Sequence, residues 1–503
     1  MKIQDSGKSI FTQMCWCAIV TLLVFFFIPG VFNELAHDNG GIFLYIGQRW
    51  FHGQIPYHCA WDNKGPVLFL INMFGVAVSN RHIWGITLIE FIFIISALIV
   101  ANCLLKNFFS TLTSGIVLLV VVYVFVSVCQ KDVSEEYVLL FQFASLWLFW
   151  EYLQCRKWYL VLLSGILMGL AFMMRANLVC LWGVFCLCFL IDVVRTRRWS
   201  DFFRATIPMG GGFVLVCAVT GCYFYYYGVL YEFLDGAFIY NIEYCSRTLR
   251  DRFHVFRFLF LTIFPVIQII ITGWILLLFW LWKKQIRNSY SLFLLAAGID
   301  FPLEVLNIGL SGGESHNYLL SVLPAGAIIL AFLLKLIAEE LQLRPGQVIS
   351  EFIRSKWFIV TLGTLFLILP ETQRLSRNFL NMFSKQPEAE FRRSCLAFTD
   401  FINRNTAPDE KVLCIEDQHC WLWLIDRQSP SRFFNMVPFD VSPRKYSYYM
   451  KLYQADLKAN PPDVIIASSL KGEYYETLPM DKYREIKDIP SFQSYRVWRL
   501  NKE

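Results

Sequence analysis

The stretch 33–66, NELAHDNGGIFLYIGQRWFHGQIPYHCAWDNKGP, holds the residue types best suited to chemistry in this chain. Asp38 stands beside Gly40-Gly41, where the missing side chains let a ligand approach the backbone closely. A carboxylate placed there can act as general base on an acceptor hydroxyl or amine; the plain alternative is a solvated loop acid or a helix cap. Lys64, within Asp62-Asn63-Lys64-Gly65-Pro66, offers a point charge to a phosphate, or else snorkels to lipid head groups.

Further candidates lie in four segments downstream. Glu135 and Glu136 open an apolar run; they suit a metal ion or the orientation of an acceptor, and equally a helix N-terminus that favours acids. Arg175-Ala176-Asn177 sits between two apolar runs, where a basic residue is expected to bind an anion. Arg247, Arg250 and Arg252 invite the same reading. Glu314 and His316, in a glycine-rich turn, are candidates for contact with a sugar or a metal, or form a simple polar hairpin.

The elements that must position these groups are membrane spans. The 503 residues are 56% hydrophobic and 17% charged, against roughly 45–50% and about 25% in soluble domains. A formal charge of +6 gathers beside the apolar runs, as a topology signal and not a nucleic-acid footprint. The first run, 10–30, lacks a small-residue cleavage site after it and is expected to be a retained helix, not a signal peptide. The run 67–78 is too short to cross a core of ~30 Å. If it lies in the interface, the later runs alternate at 84–105, 113–129, 137–154, 158–174, 178–194, 206–227, 256–282, 291–310, 318–338 and 357–370. Lys106, Arg156-Lys157, Arg195 to Arg198, Lys283 to Arg287, and Lys335 to Lys356 then fall on the side of Lys2 and Lys8. This positive-inside pattern predicts about eleven spans, with the outer loop 31–82 and every candidate group on the extracytoplasmic face.

Beyond residue 370 the composition turns soluble. Helices are expected at 389–403 and 446–457, and buried strands at 411–415 and 463–468, giving a small α/β domain over 371–503 outside the membrane. Of the 15 cysteines most lie in apolar runs, where they act as small hydrophobes; Cys395, Cys414 and Cys420 leave room for a disulfide. The expected fold class is therefore mainly α: a polytopic helix bundle, residues 1–370, with a C-terminal α/β domain. No P-loop, Rossmann fingerprint, HExxH or GxSxG is present, so an ATP-driven pump or a membrane zinc protease has no support.

Asp38-Asn39-Gly40-Gly41, Gly53-Gln54-Ile55-Pro56-Tyr57 and Lys64-Gly65-Pro66-Val67, in this order after a first span, resemble the GT-C membrane glycosyltransferases of the protein O-mannosyltransferase and aminoarabinose-transferase type. In that family an acid after the first span precedes a G-x-x-P-Y and a K-P-P-L element; here Gly65 replaces the first proline. The resemblance implies sugar transfer from a polyprenyl-phosphate donor on the extracytoplasmic face. It implies that Asp38 matches the catalytic acid, Lys64 the donor-phosphate position, and Glu135 or Glu136 the acid at the outer end of the fourth span. Relatives often carry a second acid next to the first. Asn39 stands there in this chain, so a divalent metal is left open and no other cofactor is implied. The rival from another class is a transporter or flippase of lipid-linked saccharides, which needs polar groups at mid-membrane. The acceptor, whether protein, lipid or glycan, has no signature.

Overall fold

The computed structural model describes residues 2–32, 35, 40–79, 82–244, 264–311, 315–340, 373–374, 376–377, 380, 387–415, 419–439, 443–470 and 473–501. Twelve longer helices precede the C-terminal part: α1 Lys2–Phe32, α2 Gly40–Phe51, α3 Pro66–Ser79, α4 Trp84–Lys106, α5 Thr111–Val128, α6 Ser134–Cys155, α7 Trp158–Phe172, α8 Cys180–Thr196, α9 Trp199–Tyr226, α10 Phe264–Lys284, α11 Ser289–Ser311 and α12 Leu323–Glu340. Among the described residues eight helical segments are long and apolar enough to cross a membrane, and the chain is a multi-pass membrane protein. These eight fall on eight of the expected spans. Of the others, α6 has the length at 22 residues but carries three acids, α7 has only 15 residues, and 357–370 lies outside the described residues.

Packing follows from the apolar faces. α4 lies on α6, α6 on α7, and α7 on α9; α8 packs against α9 and α11, while α10, α11 and α12 pack together. The α7–α9 crossing is close because a Cβ at Gly165 would stand 1.9 Å from the Met209 carbonyl oxygen, so the small residue sets the helix spacing in lipid. The outward face of α9 leaves Ile207, Val214 and Val219 exposed, as expected of a lipid-facing helix.

The two ends of the bundle differ in charge. At one end Asp192 of α8 accepts from Arg156 and Arg195 at 2.9 Å each, and Arg195 also reaches the Ile286 carbonyl at 2.7 Å. Three of the basic clusters therefore meet on one side, as the positive-inside argument requires. The opposite end holds the described candidates Lys64, Glu135, Glu136, Arg175 and His316.

The outer segment is not an irregular loop. Residues 40–51 form α2, which packs on α3, because Ile42, Phe43, Leu44 and Ile46 are all buried there. α3 has 14 residues, about 21 Å at ~1.5 Å per residue, and stops short of a crossing.

The C-terminal part contains α13 Pro387–Asn405 and α14 Pro443–Ala459 with β1 Val412–Leu413, β2 Val464–Ala467, β3 Tyr483–Ile486 and β4 Arg496–Leu500. The sheet order is β1-β2-β4-β3; β1 and β2 are parallel, and β4 is antiparallel to both its neighbours. Both expected helices and both expected strands are present; β3 and β4, partly exposed and polar, lacked a hydrophobic run to announce them. Cys395 and Cys414 are buried in this part, and the Cys420 side chain lies outside the described residues.

Candidate active site

The 61–67 turn is built by hydrogen bonds that leave little freedom. Tyr57 adopts φ +67°, a left-handed conformation that costs a non-glycine residue about 1–3 kcal/mol. It is held by complete burial among Phe69, Phe224 and Phe233, and its hydroxyl donates to the Lys64 carbonyl at 2.7 Å. The Lys64 N–H donates to Asp62 Oδ1 at 3.0 Å and its ammonium to Asn63 Oδ1 at 2.9 Å. Gly65 then donates its N–H to the Met174 carbonyl at 2.9 Å, and Val67 donates to the Met173 carbonyl at 3.2 Å. Those two carbonyls immediately precede Arg175, so Lys64 and Arg175 sit on two backbone segments bonded to each other.

Arg175 is fixed in turn. Its guanidinium pairs with the Glu135 carboxylate and lies 4.3 Å over the Tyr318 ring. Asn317, next to His316, accepts from the Gln130 N–H at 2.8 Å and donates to the Gln130 side chain at 2.9 Å. Arg175, Glu135 and the turn bearing His316 thus share one corner. Glu135 is the ion-pair partner of Arg175 here. Glu136 points into a separate buried group and accepts from the Cys129 thiol at 3.5 Å.

That group is centred on Asp132, which sequence reasoning passed over. Lys131 and Asp132 both have left-handed backbones, at φ +64° and +47°. Asp132 is buried; Oδ1 accepts from Asn72 Nδ2 at 3.0 Å and from the Tyr137 hydroxyl at 2.8 Å, and its N–H donates to Glu90. Its other oxygen, Oδ2, has no hydrogen-bond partner among the described residues. A Cβ on Gly40 would meet that oxygen at 3.4 Å, which puts the open side of Asp132 against the residue two places after Asp38. Burial pushes the Asp132 carboxyl up to about 7, with the bonds from Asn72 and Tyr137 opposing. The one sequence signal that pointed here was a lone acid, Glu90, in an apolar run. Asp38, Arg247, Arg250, Arg252 and Glu314 lie outside the described residues.

The C-terminal part closes over the same end. Trp61 donates its N–H to the Arg432 carbonyl at 2.8 Å, and its ring lies 5.0, 5.8 and 5.3 Å from those of Tyr240, Phe433 and Tyr449. Tyr45 of α2 receives the Ser429 N–H at 2.8 Å, and Arg49 pairs with Asp426. Asp235 accepts from Lys445 at 2.6 Å and from the Tyr449 hydroxyl at 2.8 Å.

Residues 63–224 match the family described as Dolichyl-phosphate-mannose-protein mannosyltransferase. ArnT from Cupriavidus metallidurans bound to undecaprenyl phosphate superposes with a TM-score of 0.61 at 14% identity, over 97% of this chain and 98% of that one. The same enzyme in the apo state gives 0.57 at 14% identity, with coverage of 97% and 98%. No curated protein sequence matches the chain. The matched family segment begins at Asn63 and takes in Lys64, Glu90, Asp132, Glu135 and Arg175, while the likeness in fold runs through the C-terminal part. The chain thus shares its fold with this membrane glycosyltransferase, and its segment 63–224 matches the mannosyltransferase family model.

Proposed function

We propose that this glycosyltransferase takes a sugar from a polyprenyl-phosphate donor and passes it to an acceptor on the extracytoplasmic face. The observation that carries the reading is the Gly65–Met174 hydrogen bond, which ties the segment bearing Lys64 to the turn ending in Arg175. Two cations on bonded segments form a clamp for a phosphate at the end of the bundle where a lipid head group would lie. The ArnT complex with undecaprenyl phosphate supports that class of ligand for the same fold.

In the reaction, the acceptor hydroxyl or amine attacks the anomeric carbon while Asp38 takes its proton. The bond from that carbon to the phosphate oxygen breaks, and its electron pair leaves with the polyprenyl phosphate. Lys64 and Arg175 stabilise the charge that develops there, and the configuration at the sugar inverts. Glu135 holds Arg175 in place, and Asp132 turns its open oxygen toward Gly40. The rival transport reading can draw on acids buried inside the spans, Glu90 of α4 and Asp300 and Glu304 of α11, and the test separates it from transfer.

The test uses membranes expressing the protein, which supply the acceptor, with undecaprenyl-phosphate-linked mannose, glucose and aminoarabinose in turn, scored by release of free undecaprenyl phosphate. Asp38→Asn should abolish release, and Lys64→Ala should weaken retention of undecaprenyl phosphate itself. Full turnover by Asp38→Asn would remove that residue from the mechanism. Movement of intact donor across a vesicle bilayer without cleavage would favour the transporter.

A further inference from the structure

A second cluster of reactive side chains lies inside the bundle, outside the site just described. Asp300 and Glu304 are one turn apart on α11, so both carboxylates project from the same face. They are 1% and 0% exposed, and Asp300 Oδ1 and Glu304 Oε1 have no hydrogen-bond partner among the described residues. Cys180 faces them from the start of α8, and ligand atoms of the three residues all lie within 4.8 Å of one another.

The surrounding backbone is arranged to hold this group. Pro302 falls between the two acids and cannot donate to the carbonyl four residues back; Trp274 supplies the missing donor, reaching the Gly298 carbonyl at 2.7 Å. Asn307 ties the two elements together, donating to the Asn177 carbonyl at 2.7 Å and to Glu304 Oε2 at 3.4 Å. No ion pair among the described residues involves Asp300 or Glu304. Two buried carboxylates with open oxygens and no cation partner are costly in an apolar span. A bound cation removes that cost directly.

We infer that Cys180, Asp300 and Glu304 form an intramembrane site for a divalent transition-metal cation of the zinc class. One thiolate with two carboxylates favours zinc, with a fourth position open, over magnesium and calcium, which would leave the sulfur unused. Tetrahedral zinc places its donors roughly 3.3–3.7 Å apart, so a pair at the 4.8 Å limit closes by about 1.5 Å at most. On binding, the thiol and any protonated carboxyl release their protons to solvent. The metal would clamp α8 to α11 and so steady the turn from Met173 to Asn177, which carries Arg175. The site does not depend on the glycosyl-transfer reading, and its test reads no activity.

Tag-free protein purified in detergent is stripped with a chelator and titrated with Co2+, with zinc content of the untreated protein measured by mass spectrometry. The expected result is about one equivalent of metal per chain and a thiolate-to-cobalt charge-transfer absorption. That absorption disappears in Cys180→Ser and persists in Cys186→Ser, and Asp300→Asn or Glu304→Gln weakens cobalt binding at least tenfold. Gel filtration checks that each variant folds; if the carboxylate variants do not, Cys180→Ser decides alone. A folded protein without the charge-transfer band, or a band unchanged in Cys180→Ser, overturns the inference and leaves the acids as a protonated pair.

Discussion

Gly65 and Met174 are joined by a backbone hydrogen bond of 2.9 Å across 109 residues of sequence, and no side chain larger than hydrogen fits the junction. A Cβ on Gly65 would stand 2.0 Å from the Met173 carbonyl oxygen, inside any van der Waals limit. Glycine at this place, where relatives are expected to carry proline, therefore serves close approach of two backbones. Gly65→Ala should fold, judged by gel filtration, but push the Lys64 segment off the Arg175 turn. Since a displacement of ~1 Å can cost about 100-fold in rate, kcat/KM for donor cleavage should fall by a factor of roughly 10–100. Wild-type kinetics in this variant would show that the two segments do not work together.

The Arg175–Glu135 pair makes a prediction about stability that can be separated from catalysis. The side chains are 17% and 4% exposed, so removing the cation strands a buried carboxylate, a loss of about 3–5 kcal/mol when one partner of a buried pair is deleted. Arg175→Ala should lower the unfolding temperature strongly, and adding Glu135→Gln should restore part of it. Both variants should still lose donor cleavage, because the phosphate clamp needs the guanidinium. A double variant no more stable than Arg175→Ala would mean that Glu135 is not left stranded.

The legible part of this protein was what hydrophobic length and charge placement encode. Spans, the short run before Trp84 and the side on which Arg175 and Glu135 sit all follow from the cost of burying charge in lipid. The C-terminal helices and the buried strands β1 and β2 follow from their periodicity. What stayed hidden depends on long-range pairing. Nothing local says that Asp132 meets Asn72 and faces Gly40, that Glu135 is spoken for by Arg175, or that Trp61 is a buried anchor for a domain that begins 300 residues later. α2 was hidden for a different reason: its glycines, Gln48 and Arg49 read as a polar loop, and only tertiary burial makes 40–51 a helix.

Asp132 gives the chain a pH dependence with a definite sign. Its carboxyl is raised to about 7 in the fold, above the ~3.9 of an unfolded aspartate. Between those values the folded chain holds a proton that the unfolded chain has lost, so this contribution to stability falls as pH rises from about 4 through 7. Glu90, Glu136, Lys131 and Tyr137 face the same group and broaden the transition. Asp132→Asn should flatten the stability curve over that window. Identical pH profiles for the two proteins would exclude Asp132 as the titrating group.

Trp61 tests whether the C-terminal part and the 55–66 turn move as one body. The indole is 2% exposed and packed against Tyr240, Phe433 and Tyr449, and its N–H bond to Arg432 is a backbone link that mutation of the side chain leaves chemically intact. Trp61→Ala removes the anchor and opens a cavity, at about 3–5 kcal/mol. Because Lys64 lies three residues further on and is held through the same turn, the loss should reach the phosphate clamp. Hydrogen exchange should quicken together over 57–66, 237–241 and 429–435, and retention of undecaprenyl phosphate should weaken by about tenfold or more, in line with a shift of at least 1.4 kcal/mol. Faster exchange confined to 57–66 would mean that the C-terminal part stays seated through Tyr45, Arg49 and Asp235 alone, and that its contact with Trp61 follows the clamp without supporting it.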